Sequence, residues 1–503
     1  MFCGAVLSLS CLAIYSVSAV NPGLRIRITQ DGLNYANKNA VASFVGGLQK
    51  TRLDDATGTI KGIKYKFTNL IVEDFKVPKS SIALAKESDL SWSTADISLE
   101  VDGNFWFKFL FISDSGDVRA KVSDASFMIG MDIGVDADGK PMIKTKSCNC
   151  NIGHLSIKMK NKISWIYNAL LGVARRAIAS MLEKKFCERA MIEIDRKAEE
   201  ELCAMKLTVQ FGEYLTLDFR LVKAPFVTAQ YIEVDLKGEV YWTANRTVPP
   251  FSPPNMATIT DDKKMVYITV SDYLFNSMMY QAHAHGLLSF NLTDKTVEGI
   301  GDLLNTTCKD TCIGKLIPQI GQLYPNSKVE IWMSSTNAPN VTINEKYLYT
   351  MGGSNVTFVA RKPDNSVHFL FSIHADIEAL LKLKMTSSSL NGKVETMRIT
   401  TNVTQTKIGT INEDEFQSLV NDIVKKVIQP LINEFLTFYE IPIPSTDNLE
   451  FKGSSVKLLQ NTILVQADVK LIPDSWKKDK FRSTILKYFP VHPGRPYPSA
   501  HRL

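Results

Sequence analysis

The sequence predicts an α+β chain of two related units in tandem, and three observations predict it. A proline run, Val248-Pro249-Pro250-Phe251-Ser252-Pro253-Pro254, stands near the middle of the 503 residues. Stretches of apolar–polar alternation, the mark of antiparallel strands with one buried face, recur through both halves. Late in each half comes a long amphipathic segment of helical period. Proline fixes φ and lacks a backbone donor, so the run cannot sit inside a helix or a central strand and must pass extended between folded bodies. A chain of this length exceeds what one growing core supports, so a boundary is needed and the proline run supplies it. With 45% hydrophobic and 22% charged residues and no long low-complexity tract, both sides are expected to fold.

The elements follow in order. The first unit opens with a strand at Leu24 to Ile28, then a helix whose apolar face carries Leu33, Ala36, Ala40, Val41, Phe44, Val45 and Leu48. Alternation then marks strands at Ile60 to Phe67, Ala95 to Val101, Phe105 to Ile112, Ala125 to Val135 and His154 to Met159. A helix from about Ser164 to Lys197 places Ile166, Leu170, Ala174, Ile178, Met181, Leu182 and Phe186 on one side, and Thr228 to Trp242 reads as a strand leading into the proline run. The second unit repeats the order. A strand at Met265 to Val270 leads into a helix from Ser271 through Phe275 and Met279 to about His285. Strands follow at Lys328 to Met333, Val341 to Ile343, Val356 to Arg361 and Val367 to Ile373. The late helix runs from Phe416 to Phe435, with a kink expected at Pro430, and a strand at Ile463 to Leu471 closes the unit. The expected division is a signal segment at 1–19, a first unit at 20–244, a proline-rich linker at 245–260, a second unit at 261–480 and a proline-rich tail at 481–503.

Residues 1–19 carry no charge, hold an apolar run from Ala5 to Ile14 and close on Val17-Ser18-Ala19, the pattern of a secretory signal too short to span a bilayer. Secretion implies an oxidising compartment, in which some of Cys148, Cys150, Cys187, Cys203, Cys308 and Cys312 are bridged. Cys148-Asn149-Cys150 is too tight to bridge within itself, and the scattered cysteines lack paired zinc-ligand spacing, so no metal is expected. Sequons at Asn245, Asn291, Asn305, Asn340, Asn355 and Asn402 fit a secreted glycoprotein. The chain carries a net charge of +6, divided evenly between the two units, a diffuse balance that points to no nucleic-acid partner.

Several separated motifs carry a resemblance. Asn21-Pro22-Gly23 followed by Arg27-Ile28-Thr29-Gln30-Asp31-Gly32-Leu33-Asn34-Tyr35-Ala36, the run Pro249 to Pro254, and Met265-Val266-Tyr267-Ile268 with Ser271-Asp272-Tyr273-Leu274-Phe275-Asn276 resemble the bactericidal permeability-increasing protein and lipopolysaccharide-binding protein family. That resemblance implies a boomerang of two barrel-like domains, each a twisted antiparallel sheet with helices, joined by a central sheet. It implies one phospholipid in an apolar pocket of each domain, with no other cofactor, and a disulfide between Cys148 and Cys187. It further implies lipopolysaccharide recognition by basic residues at the amino-terminal tip, where Lys61, Lys64, Lys66 and Lys108 are the candidates. The second tip loop, Asp102 to Phe111, keeps only Lys108 where the family pattern is rich in lysine and arginine. Its Phe105-Trp106-Phe107, Phe109 and Phe111 fit either a strand buried on both faces or an aromatic tip that enters an interface.

The pocket residues have two readings. A helix packed on a sheet needs one apolar stripe, yet the late helix of the second unit is apolar over more than one. Either that helix is buried on two sides, or helix and sheet leave a slot for a lipid tail. The candidate pocket residues are Phe44, Val45, Leu48, Ile166, Leu170, Ala174 and Ile178 in the first unit, and Phe275, Met279, Ile423, Val427 and Leu431 in the second.

The leading expectation is a secreted lipid-binding protein of innate immunity, with phospholipid, lipopolysaccharide or a bacterial outer membrane as partners and with peripheral membrane contact. A phospholipid-transfer protein without lipopolysaccharide specificity is the alternative, and a lipid hydrolase the remote one. No GxSxG elbow, HExxH, Walker loop or dinucleotide glycine fingerprint is present. None of the seven histidines sits in a catalytic or metal spacing, so the chain reads as no enzyme.

Overall fold

The structure, a computed structural model, describes residues 21–471 apart from 51, 61, 86–88, 160–163, 297–299, 310–311, 386–388, 439–440 and 443–448. The signal segment, the tail and Lys61 therefore lie outside the described residues.

The first half comprises β1 (Leu24–Thr29), α1 (Gln30–Leu48), β2 (Ala56–Ile60), β3 (Ile63–Lys76), β4 (Lys79–Ala85), β5 (Asp89–Phe109), β6 (Ile112–Val135), β7 (Pro141–Asn151), β8 (His154–Met159) and α2 (Ser164–Ala204). Five short strands precede the proline run: β9 (Thr208–Phe211), β10 (Leu215–Asp218), β11 (Phe226–Val227), β12 (Tyr231–Leu236) and β13 (Glu239–Trp242). After it come β14 (Val266–Ser271), α3 (Asp272–Ala284), β15 (Ser289–Leu292), α4 (Ile313–Leu316), α5 (Pro318–Leu323), β16 (Lys328–Ser335) and β17 (Asn340–Ile343). The chain continues through β18 (Leu348–Arg361), β19 (Val367–Met385), β20 (Ser389–Thr406), α6 (Glu413–Ile423), α7 (Gln429–Phe438), β21 (Ile441–Pro442), β22 (Leu449–Leu459) and β23 (Thr462–Leu471).

These form an α+β architecture of mostly antiparallel sheets. Each half holds a seven-stranded sheet: β2 to β8 in the first, β15 to β21 in the second. Both are open rather than closed barrels, since neither strand order returns on itself. Between them a six-stranded sheet in the order β11-β12-β1-β14-β23-β22 takes strands from both halves.

The duplication is visible at the middle of that sheet. β1 and β14 run antiparallel with Ile26 opposite Ile268. Thr29 N–H donates to Met265 O at 3.1 Å, and Ser271 N–H donates to Gly23 O at 2.9 Å. The two bonds relate the same positions of the two repeats, because Thr29 stands to Ser271 as Gly23 stands to Met265. Thr29 and Ser271 are also the N-caps of α1 and α3, their side chains accepting from Gly32 N and Tyr273 N. Gly32 is required there, since a Cβ would stand 2.6 Å from Met265 O.

One core lies under each large sheet and a third straddles the central one, where Leu24, Leu217, Leu236, Ile268, Phe275, Ile463 and Val465 meet. In the first half α2 lies along β7, with Phe186 5.0 Å from Phe127 and 6.3 Å from Phe75 between ring centroids. Cys148 on β7 is bonded to Cys187 on α2, and Thr145 donates to Asp195 at 2.9 and 3.0 Å further along the same pair. Cys308 and Cys312 are bonded to each other just before α4, in a loop rather than within a helix, while Cys150 and Cys203 are free.

The structure corrects or sharpens several details of the sequence reading. Thr228 to Trp242 is two strands, broken at Gly238, whose φ of 56° turns the chain from the central sheet into the three-stranded sheet β13-β10-β9. Ile60 to Phe67 spans the β2–β3 turn, and Phe105 to Ile112 spans the β5–β6 turn. Just before Pro430 the helix takes a π-helical turn over Val424–Ile428, which widens it where proline cannot donate. The proline run is extended but not a free joint. Pro249 and Pro253 are buried, Phe251 meets Tyr273 and Tyr280 edge-on at 5.8 and 6.0 Å, and Asn21 Nδ2 donates to Pro253 O at 3.1 Å.

Candidate functional site

The feature that stands out is the far end of the β5–β6 hairpin. These strands, 21 and 24 residues long, are joined by a two-residue turn, Leu110-Phe111, closed by the pair Phe109 and Ile112. Two-residue hairpin turns favour asparagine, aspartate or glycine because the backbone there takes positive φ. Here Leu110 takes φ 52°, a conformation that costs a branched side chain free energy. Leu110 is 70% exposed and Phe111 90% exposed.

Strand alternation sorts the neighbouring aromatics. Phe105 and Phe107 point inward and are buried, their rings parallel at 6.4 Å, while Trp106 is 39% exposed on the other face. The strand is therefore buried on one face only, which removes the two-face reading of Phe105-Trp106-Phe107. Beside it on β3, Lys64 is directly opposite Lys108, and Lys66 is opposite Trp106. All three lysines are exposed, and none has an ion-pair partner among the described residues. Opposed like charges on adjacent strands are destabilising, so this pairing is not explained by the fold's own stability.

Away from the turn, the same face neutralises its charges. Arg119 on β6 donates to Asp102 on β5 at 2.6 and 2.5 Å and lies 3.1 Å from Glu100, which also meets Lys121 at 2.7 Å. The Arg119 hydrogen bond holds the Asp102 carboxyl below the usual carboxylate range. Asn104 follows, bonded to Asn69 and Asp117. Beyond it, toward the turn, this face carries Trp106, Lys66, Lys108 and Lys64 with no carboxylate to balance them. The result is an apolar point behind which sit unpaired cations.

Five of the twelve pocket candidates have described side chains. Val45 is half-buried against the first core, and Val427 is half-buried. Phe275 and Met279 belong to the core of the central sheet. Ile423 is exposed on α6. The side chains of Phe44, Leu48, Ile166, Leu170, Ala174, Ile178 and Leu431 lie outside those described. The sequons Asn245, Asn291, Asn340, Asn355 and Asn402 are exposed, and Asn305 is half-buried. Alternation alone ran a strand through the turn, because Leu110-Phe111 carries no glycine, proline, asparagine or aspartate, and only the resemblance placed Phe111 in a tip loop.

Two open antiparallel sheets with helices, repeated across a shared central sheet, define a class of tandem α+β protein. The chain belongs to the LBP / BPI / CETP family: the model of its N-terminal domain matches residues 32–197 and that of its C-terminal domain residues 210–471. A bactericidal permeability-increasing protein from Sebastes schlegelii is 25% identical over 90% of this chain and 96% of its own length. A lipopolysaccharide-binding protein from Mus musculus is 26% identical over 87% of this chain and 92% of its own. The crystal structure of a lipopolysaccharide binding protein superposes with a TM-score of 0.62 at 23% identity, covering 90% of this chain and all of that one, which establishes the shared fold. The family is one of lipid-binding proteins of innate immunity rather than of enzymes. No helix among the described residues is long and apolar enough to cross a membrane.

Proposed function

We propose that this protein is secreted and binds lipopolysaccharide or related bacterial amphiphiles through the β5–β6 tip, with acyl chains of phospholipid held in apolar pockets of the two domains. The observation that carries the reading is the tip itself, where Lys64, Lys66 and Lys108 stand unpaired behind the exposed Leu110 and Phe111. Lysines can meet the phosphates of an anionic amphiphile while their stems and the apolar turn cover its acyl surface. The exposed Phe111 is suited to enter that acyl layer, where its burial contributes about 1.5–3 kcal/mol. Relatives named for lipopolysaccharide binding, and one named for bactericidal permeability increase, support the same reading.

The test is binding of the purified full chain to lipid A and to zwitterionic phospholipid vesicles at low salt. Tight binding to lipid A, weakened in a Lys64→Gln, Lys66→Gln, Lys108→Gln variant, is expected. Binding to phospholipid alone would remove lipopolysaccharide and leave phospholipid transfer, a reading favoured by one specific observation. The other cations of this face, Arg119 and Lys121, are already neutralised by Asp102 and Glu100, so the tip has three free lysines rather than a broad basic field. A vesicle-to-vesicle transfer assay with labelled phospholipid, and mass spectrometry of lipid extracted from the native protein, separate the two.

A further inference from the structure

The second half holds a cleft that the tip does not use. It has a volume of about 630 Å³, within the range of small-ligand sites, and lies on the sheet of β17, β18, β19 and β20. Thr342, Tyr349, Leu380 and Thr396 form one cross-strand row along it, and Glu378 stands opposite Arg398 in the next. These side chains alternate with the buried Val341, Ile343, Leu348, Ala379 and Ile399, so they occupy the sheet face turned away from the core. One wall is the turn 344–347, held by Asn344 Oδ1, which accepts from the N–H groups of Lys346 and Tyr347 at 2.9 and 3.0 Å.

The lining selects a class of ligand. Tyr349 and Glu378 share this face in neighbouring rows, and Arg398, although it faces Glu378 across the strands, makes no ion pair with any described residue. An acyl chain would strand these polar groups without partners. An anion would meet the Glu378 carboxylate. A neutral polyhydroxylated ligand suits the mixture: hydroxyls, an amide, a carboxylate and a guanidinium to trade hydrogen bonds, with Tyr347 and Tyr349 offering flat apolar faces.

The sequence supplies such a ligand at the rim. Asn340-Val341-Thr342 is a sequon on β17, an outer strand of this sheet that pairs with β18 alone. Thr342 is at once the sequon hydroxyl and part of the cleft wall, and Asn340 is exposed on the same face, its Nδ2 3.4 Å from Thr342 Oγ1. Asn340 opens the row Asn340, Met351, Glu378, Arg398, which spans three strand spacings, roughly 14 Å, from attachment point to guanidinium. Asn355 and Asn402 lie on either side of His374 in a different row and do not line the cleft. We propose that Asn340 is glycosylated and that the first sugars of its glycan are seated in this cleft, over Tyr349 and between Glu378 and Arg398.

The experiment uses the full chain secreted from eukaryotic cells. Glycopeptide mass spectrometry should find Asn340 occupied. Native digestion with peptide N-glycosidase should release the Asn340 glycan about tenfold more slowly than those at Asn291 and Asn402, because a seated glycan must first leave the cleft. Arg398→Ala and, separately, Tyr349→Ala should bring Asn340 to the rate of the other sites without altering theirs. Hydrogen exchange in β18 and β19 should rise alike in Asn340→Gln and Thr342→Val, two variants that remove the sequon at different residues. An unoccupied Asn340, or release at the rate of the other sites in the unmodified protein, would overturn the proposal. So would protection of the same strands by added chitobiose in the glycosylated protein, which would assign the cleft to a saccharide from outside.

Discussion

The hairpin ends of the two large sheets are built on opposite terms. At the end of β18–β19, residues 362–366 satisfy themselves: Lys362 N–H donates to Ser366 O at 3.0 Å, and Asp364 accepts from the Ser366 N–H and hydroxyl at 2.9 and 2.6 Å. Of the two cations there, Arg361 is paired with Glu330 and Lys362 lies over the Tyr324 ring at 5.7 Å, and the positive φ of 66° falls on Asn365, a residue that tolerates it. At the end of β5–β6 the positive φ falls on leucine, the next side chain is an almost fully exposed phenylalanine, and three lysines lack partners. Local cost kept at one end and avoided at the other points to the costly end as the one that meets something else.

The largest expected effect is on charge. Each lysine near an anionic surface contributes about 1 kcal/mol, so Lys64→Gln, Lys66→Gln, Lys108→Gln together should weaken binding to anionic vesicles about a hundredfold at low salt. The loss should shrink as salt is raised, and Lys362→Gln at the other end should change nothing. Equal binding by the triple variant and the parent at low salt would end the contrast between the ends. Next comes Phe111→Ser, expected to cost about tenfold or more in affinity with little dependence on salt, since the lost term is apolar burial. Trp106 supplies the readout: its emission should shift to the blue on vesicle binding in the parent and less in the variant.

Much of the fold was readable because its signals are local and periodic. The repeat was visible as Thr29-Gln30-Asp31-Gly32-Leu33 against Ser271-Asp272-Tyr273-Leu274-Phe275, each a capping residue between a strand and an apolar helix face. What escaped depended on contacts far apart in sequence or on turns without the usual residues. The packing of the proline run was out of reach because nothing in it announces Tyr273, Tyr280 or Asn21 as partners. By alternation Leu110-Phe111 read as strand because its composition is that of a strand, and the tip reading of Phe111 rested on resemblance. Of the site, Lys64, Lys66 and Lys108 were named by resemblance, but their lack of partners is a property of register: only the pairing of β3 with β5 places Lys64 opposite Lys108.

Leu110→Gly separates stability from function more finely. Glycine adopts positive φ without a side-chain clash, so the fold should gain about 0.5–1 kcal/mol, read as a raised unfolding midpoint, while vesicle affinity falls severalfold as the apolar point shortens. Asn365→Gly should shift stability by less and leave affinity unchanged. A Leu110→Gly protein that is destabilised would show that the leucine is held by the fold rather than kept against it.

The smallest effect concerns acid. The Arg361 hydrogen bond, the largest influence on Glu330, holds its carboxyl below the ordinary glutamate range, and Lys328 does the same for Asp294 nearby. A carboxylate depressed on folding stabilises the native state above its unfolded pKa, and that contribution is lost as pH falls through the folded value. Acidification below about pH 4 should therefore loosen the neighbourhood of β16 and the end of β18. The lysines of the β5–β6 tip have no carboxylate partner to lose. Hydrogen exchange, corrected for the intrinsic pH dependence, should rise at residues 328–335 and 358–368 and hold steady at 104–113. Equal loosening at both ends would mean that the tip lysines have carboxylate partners in solution, and the difference between the two hairpins would then be one of shape alone.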